Sequence, residues 1–452
     1  MRIIIVGCGT VGTALVLQLS AEGHDITVID ERPEVVRSAV DSNDAMGIVG
    51  NGASFQILND AGVKTADLLV AVTESDELNL LCCLIAKKAG NCHTIARVRN
   101  PVYRDEIGFI RQGMGLSMVI NPEEAAATEI ARLLKFPSAD KIETFVGGRA
   151  ELVHMMIGPE NRLVGQSLAE VTKEHKSTIL IAVVERGDDS IIPSGSFVLQ
   201  AGDRISIIGA SREIALFFKR LGLPTTRVKS AMIVGGGNTA FYLGRQLITF
   251  GIELKIIERD LNRCKELTEL LPEALILHAD GTDKDVLLEE DAVGVGSFVA
   301  LTNIDEENIM LSMYIHSIAP KAKLITKVHR VSYSEIIGSL GVGSIIYPPS
   351  ITANRIAQFV RGMAGSQGSS VERLYLLSDG KAEALEFAIR ENTRVCGIPL
   401  SEMTLKPGVL IALINRGAEI IVPNGRTEIQ TGDTVVVVTG RIGCKKIEDI
   451  LR

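Results

Sequence analysis

The chain has 452 residues, 46% hydrophobic and 23% charged, an ordinary globular mix that excludes fibrous and disordered classes. At roughly 150 residues per domain, that length predicts three or four domains. Lys plus Arg number 47 against 55 Asp plus Glu, a net charge of −8, with no Trp and 4% aromatics. This balance argues against nucleic acid as a partner, against attachment to anionic lipid by charge, and against stacking platforms for single strands.

In chain order, Arg2 to Val6 reads as a buried parallel strand and Gly12 to Ser20 as a helix. Asp25 to Asp30, Ala45 to Val49, Leu68 to Thr73 and Thr94 to Val98 read as four more strands, with Leu116 to Ile120 as a sixth. Strands alternating with helical patterns imply right-handed crossovers and a parallel sheet covered on both faces. Asn121-Pro122 opens a helix from Glu123 to Lys135, stopped before Pro137. After it the period falls to two and the turns crowd together at Arg186-Gly187, Pro193-Ser-Gly195 and Gly202-Asp203, which reads as a small α+β module.

The same series then repeats. Gly7-x-Gly9-x-x-Gly12 meets Gly235-x-Gly237-x-x-Ala240, and Asp30 meets Glu258, at an offset of 228. Thr73 to Asn79 meets Thr302 to Asn308 at an offset of 229. Leu180 to Asp203 shares 11 of 24 residues with Leu410 to Asp433. The expected fold is therefore α/β, with tandem Rossmann-like parallel-sheet domains at 1–137 and 229–364, each followed by a small α+β C-type domain at 141–225 and 371–452. The second long helix is expected to follow Pro348-Pro349 and end near Gly362, and the tract 365–370 reads as a linker.

The uncharged run Ile3 to Leu19 imitates a signal peptide, but three glycines interrupt it and a similar element recurs at Ala231 to Gly251. Other apolar runs fall short of the ~20 residues that span a bilayer, so a cytoplasmic, soluble chain is expected. Seven cysteines without a CxxC pair suit a reducing compartment. Cys82-Cys83 with Cys92-His93 approaches metal spacing, but the pair sits in a helix read as buried from Asn79 to Ala86, so core cysteine is the better reading and no metal site is expected.

The glycine motif follows a strand and opens a helix, as a dinucleotide-binding turn requires. Gly7 permits the turn, Gly9 lets backbone approach a pyrophosphate, Gly12 lets helix pack on strand, and the helix N-terminus supplies amides for phosphate. Asp30 ends the next strand, where a carboxylate accepts ribose hydroxyls and disfavours a 2′-phosphate, which points to NAD. Gly235, Gly237 and Glu258 repeat this in the second half, where Ala240 takes the third glycine position and the half either binds or keeps the fold alone.

Asn51 and Asp280 follow the third strands, as crevice residues or as turn formers. Thr73-Glu74 and Thr302 end the fourth strands at the crevice, while Asp76 and Glu77 read as first-turn helix acids. Arg97 and Lys327 end the fifth strands, either meeting phosphate or forming surface ion pairs. There is no P-loop and no Tyr-xxx-Lys pair, and of the seven histidines only His154 and His175 fall in the small modules. No catalytic residue is expected. An NAD-dependent oxidoreductase is the rival reading, and a free-standing nucleotide sensor is another.

Taken in order and given twice, these motifs resemble the RCK (KTN) family. The resemblance implies a non-enzymatic, nucleotide-responsive regulator, peripheral at the inner face of the membrane under a membrane-embedded Trk-type potassium transporter, and a homo-oligomer assembled as a tetrameric ring. It implies NAD or NADH, or ATP and ADP, as ligands. Carried over, the ligand positions are Gly7, Cys8, Gly9, Thr10, Val11, Gly12, Asp30, Thr73, Glu74 and Arg97, with Gly235, Gly237, Asn238, Thr239, Glu258, Thr302 and Lys327 in the second half. Asn51 and the Thr239-Ala240 pair depart from the family's usual residues.

Overall fold

The computed structural model describes the chain except residues 42, 104–105, 136–138, 176–177, 224–227, 331–339, 341, 366–370, 378–380, 391–392, 418, 441–443 and 445. The linear order of alternating domains is regrouped in space. One compact unit joins Met1–Ala131 with Lys229–Ala357, and the other joins Arg132–Val228 with Gln358–Arg452.

The first unit holds two parallel sheets. In the first, β1 (Arg2–Val6), α1 (Thr10–Ala21), β2 (Asp25–Asp30), α2 (Pro33–Asp41), β3 (Ala45–Val49), α3 (Phe55–Asp60), β4 (Leu68–Ala71), α4 (Asp76–Gly90), β5 (His93–Arg97), α5 (Ile107–Met114), β6 (Met118–Ile120) and α6 (Pro122–Lys135) follow one another. The strand order is β3-β2-β1-β4-β5-β6. Ile3, Ile4, Ile5 and Val6 are all buried, because a strand covered on both faces has no polar side. Chain order reverses direction between β1 and β4, which opens a crevice at the strands' carboxyl ends.

Later in the chain come β12 (Ser230–Val234), α9 (Asn238–Thr249), β13 (Glu253–Glu258), α10 (Leu261–Leu270), β14 (Leu275–His278), α11 (Lys284–Glu289), β15 (Ser297–Ala300), α12 (Asp305–Ile318), β16 (Lys323–Lys327), β17 (Ser344–Ile346) and α13 (Pro348–Gly365). They repeat the order as β14-β13-β12-β15-β16-β17.

Several boundaries differ from the sequence reading. The sixth strand begins at Met118, because Gly115 at φ 66° and Leu116 turn their amides back to the last turn of α5 (Leu116 N to Arg111 O, 2.9 Å). The fourth strand stops at Ala71, because the Thr73 amide donates to the Asn79 side chain. The second long helix starts on Pro348 itself, a position where the fixed φ of proline is pre-organised, and runs three residues past Gly362. The helix stop at Pro137 lies outside the described residues, and so does the linker read at 365–370 apart from Gly365, which belongs to the helix.

The second unit holds two antiparallel sheets. One is built from β7 (Lys141–Phe145), β8 (Ala150–Met156), α7 (Leu168–His175), β9 (Ile179–Arg186), β10 (Asp189–Ile191), β11 (Arg204–Ala210) and α8 (Ser211–Arg220). The other is built from β18 (Val371–Leu377), β19 (Ala382–Ala388), β20 (Val409–Arg416), β21 (Glu419–Ile421) and β22 (Thr434–Gly440). The two sheets share one core. Phe145 and Tyr375 meet with ring centroids 4.3 Å apart, and Ala182, Val183, Leu413 and Val436 are buried with them.

The repeated Arg-Gly and Gly-Asp pairs brace each module. Arg186 grips Asp203 with two nitrogens at 2.7 and 2.8 Å, and Arg416 grips Asp433 at 2.9 and 2.8 Å. His154, one of the two histidines on which an oxidoreductase reading would lean, is buried with Nδ1 2.9 Å from Ser206 Oγ, between neighbouring strands.

Candidate functional site

Each glycine turn is built as its spacing implies. Gly7 and Gly235 take φ of 95° and 99°, and a Cβ there would press within 2.8 Å of the chain leaving the fourth strand. Gly9 and Gly237 cap α1 and α9 in extended conformation, and a Cβ there would meet nothing within 4 Å. The space above the second glycine is open, so a pyrophosphate can approach the helix amides. At Gly12 a Cβ would stand 1.9 Å from the Gly7 carbonyl oxygen, whereas the second half buries a real Cβ, Ala240.

The strand-end acids close each loop. Asp30 Oδ2 accepts from the Cys8 amide at 2.8 Å, and Glu258 Oε2 accepts from the Gly236 amide at 2.6 Å. Asp30 also takes the Arg32 amide at 3.0 Å and the Arg32 Nε at 3.1 Å. Burial alone would raise the Asp30 carboxyl, but the hydrogen bonds from the Arg32 guanidinium and the two amides outweigh it and hold it low. At Cys8 the thiol is pushed up to about 12 by burial and then by Asp30, so the useful atom is the amide. Among the described residues Glu258 takes one further amide, from Asp260 at 2.8 Å, which leaves it acceptor capacity for ribose hydroxyls.

Asn51 and Asp280 make side-chain turns. Asn51 Oδ1 accepts from the Ala53 amide at 2.8 Å, and Asp280 Oδ1 from the amide and hydroxyl of Thr282 at 2.9 and 2.7 Å. Their glycines serve close approach and not a left-handed turn. A Cβ at Gly52 would lie 2.2 Å from Val6 Cγ1, and one at Gly281 would lie 2.4 Å from Val234 Cγ1.

The fifth-strand cations are not surface ion pairs. Lys327 is 6% exposed, its Nζ donates to Leu301 O at 3.0 Å, and burial drives its pKa down from 10.5 to about 8. Arg97 donates to Thr73 O at 3.2 Å, and burial followed by repulsion from Arg99 lowers it. Asp76 is more than a first-turn acid. It is buried, and Oδ2 accepts the amides of Arg99 and Asn100 at 2.9 and 2.8 Å. Asp305 does the same for His329 and Arg330 in the second half. Glu77 stays exposed.

The halves meet along α6 and α9. Asn121 Nδ2 donates to Tyr242 Oη at 3.0 Å, and Gln246 Nε2 to Thr128 Oγ1 at 3.3 Å. Between them lies a cavity of about 780 Å³, a volume that suits a nucleotide. From the second half it is lined by Gly235, Gly237, Asn238, Thr239, Glu258, Asp280, Thr302 and Lys327. From the first half come Thr10, Val11, Arg97, Arg99 and Glu123. Gly7, Cys8, Gly9, Gly12, Asp30, Asn51, Thr73 and Glu74 do not line it; they gather around the first crevice.

Sequence reading missed Arg99, Glu123 and Arg263, whose Nε holds the Gly236 carbonyl at 2.7 Å. It also missed Asn79 and Asn308, both fully buried. Asn79 bonds Thr73 N, Thr73 O and Arg97 O, and Asn308 bonds Thr302 N, Thr302 O and Lys327 O, so each ties the fourth strand to the fifth. The repeat of asparagine at an offset of 229 was the available signal.

Residues 3–122 and 231–348 match the TrkA-N domain, and 152–222 and 384–452 match the TrkA-C domain. The Archaeoglobus fulgidus "Trk system potassium uptake protein TrkA homolog" is 32% identical over 453 residues, covering 100% of both chains. The Haemophilus influenzae "Trk system potassium uptake protein TrkA" is 32% identical over 446 residues, covering 97% of this chain and 95% of that one. Among solved structures, the GsuK RCK domain aligns with TM-score 0.64 at 15% identity over 97% of this chain and 92% of that one. The GsuK channel bound to NAD aligns with TM-score 0.64 over 97% of this chain and 77% of that one. Duplicated domains, matched order and full-length similarity agree: the chain belongs to the TrkA family of Trk potassium-uptake proteins.

Proposed function

We propose that this chain is the nucleotide-binding, gating subunit of a Trk-type potassium-uptake transporter. The observation that carries the nucleotide reading is the twin crevice: an open second glycine at a helix N-terminus, beside a strand-end carboxylate that already holds the loop amide. NAD or NADH, and ATP or ADP, fit its chemistry. A bound ligand would place its phosphates on the amides of 8–11 and 236–239 and its ribose on Asp30 or Glu258. Asn51, Thr73 and Glu74, with Asp280 and Thr302, stand at the crevice mouths, and Arg97 and Lys327 face the anionic end.

The chain's own role is to bind, orient and move, with no bond of the ligand broken. The likeness to a channel-borne RCK assembly supports a ring, which we place as a tetramer on the inner face of the membrane protein. Among the described residues no helix is long and apolar enough to cross a membrane, which fits attachment through a membrane-embedded partner. We divide the chain at 1–137, 141–225, 229–364 and 371–452. Ligand in the crevices shifts the ring between states only by its difference in affinity for them. The test is potassium flux through the reconstituted transporter, with and without this chain and each nucleotide. Flux that changes with NADH or ATP supports the reading; flux indifferent to every nucleotide ends it.

A further inference from the structure

The second crevice and the first turn of α1 open onto one cavity. Thr10 and Val11, at the N-terminus of α1, line the same cavity as Asn238 and Thr239, at the N-terminus of α9. Each helix end offers free amides and a partial positive charge. Arg97 and Arg99 of the first half and Lys327 of the second face that cavity too. Carboxylates lie near these cations, yet donor capacity is left over. Arg97 and Arg99 each keep a buried Nε without a hydrogen-bond partner, and Lys327 donates to a carbonyl. Glu123 stands 3.9 Å from Arg99 and acts on the charges of Arg97 and Lys327 as well, beside Asp76 and Glu74 for Arg97 and Asp305 for Lys327. Its Oε2 is buried and unpartnered.

We propose that the crevices are coupled through this shared cationic vestibule. Two ligands with polyphosphate ends draw on the same few cations, so filling either crevice weakens the other for a second polyphosphate. A ligand whose only phosphate rests on the helix N-terminus does not reach the vestibule and leaves the other crevice unchanged. The coupling is reciprocal, whichever crevice fills first. This inference rests on the nucleotide reading above.

Calorimetry on the full chain tests it, with ATP and AMP and no added divalent metal. Gly9→Val and Gly237→Val each block one crevice without crowding the fold, since both positions have ordinary φ and open space. Each variant gives the intrinsic affinity of the crevice left open. For ATP, the second step in the wild type is expected about tenfold weaker than the sum of the two variants requires, and less than threefold weaker in 0.5 M salt, where charges are screened within a few ångströms. For AMP the wild type is expected to equal the sum. Equality for ATP as well, or one site per chain with both ligands, overturns the coupling. A wild type that binds neither ATP, AMP nor NADH refutes the nucleotide reading itself.

Discussion

The two Rossmann halves share strand order, loop geometry and the acid at the strand end, yet they solve the same local problems differently. In the first, Gly12 packs so tightly on Gly7 that no Cβ fits; in the second, Ala240 does fit, fully buried. The first half engages Asp30 with its own Arg32, while the second leaves Glu258 partly free and sets Arg263 on the loop carbonyl instead. The first ends its fifth strand in arginine, the second in lysine. What is kept is backbone geometry; what drifts is the side chain that manages charge. Geometry that amides must present to a phosphate tolerates little change, whereas a cation near an anion can be supplied by several residues.

The sharpest break in the comparison is at the third glycine. Gly12→Ala is expected to cost about 3 kcal/mol, because the clash is with backbone, and to abolish ligand binding in the first crevice. Ala240→Gly is expected to cost only about 1 kcal/mol, the helix penalty of glycine, and to leave the second crevice intact. Denaturant unfolding with calorimetry on both variants checks this. Equal effects in the two halves would show that the loops are interchangeable after all.

Next come the buried asparagines. Asn79→Ala and Asn308→Ala each strand several buried backbone groups and are expected to cost about 2 kcal/mol apiece. Here the halves should nearly agree, since the backbone partners are equivalent and Asn79 adds one further partner, the Thr73 hydroxyl at 2.7 Å. A large difference between the two variants in denaturant midpoint would mean that one half carries the unit's stability. In the other unit, Arg186→Ala and Arg416→Ala each leave a buried aspartate unpaired. Both arginines are about a third exposed, so a cost of about 1–2 kcal/mol is expected, below that of a fully buried pair. The two variants should again match by thermal unfolding.

The halves also show what a sequence can disclose. Strands β1, β2 and β3 were legible to the residue, because an apolar β-branched run bounded by glycine or charge has few alternatives. The crevice loop was legible because glycine spacing is a backbone requirement. The burial of Lys327 and the half-burial of Arg97 were not, because each depends on the neighbouring strand end whose carbonyl it meets, and no local pattern encodes that. The regrouping of like with like was hidden because no local pattern encodes it either. Gly202-Asp203 and Gly432-Asp433 read as turns, yet each aspartate answers an arginine 17 residues back. Periodicity cannot disclose a side-chain pair at that separation; the duplication of both members could have.

The smallest expected effect separates the halves by pH alone. Burial holds Lys327 near 8, below its ordinary 10.5. Between those values the folded chain binds fewer protons than the unfolded one, so this group adds stability as pH rises. Ligand binding runs the other way, because an anionic ligand end needs the charged amine. Asp305 and Glu123 favour its charge, and Arg97, Arg99 and His329 line the same cavity. Raising the pH from 7 to 9 is therefore expected to weaken ATP at the second crevice by up to about tenfold, measured in Gly9→Val, since one pKa unit corresponds to a factor of ten. Arg97 and Arg99 stay charged over that range, so the first crevice, measured in Gly237→Val, is expected to weaken less, by its share of Lys327 in the common vestibule. Lys327→Arg should flatten both profiles, the second by more. If the first crevice weakens as much as the second, or Lys327→Arg leaves the slopes unchanged, the titrating group lies elsewhere.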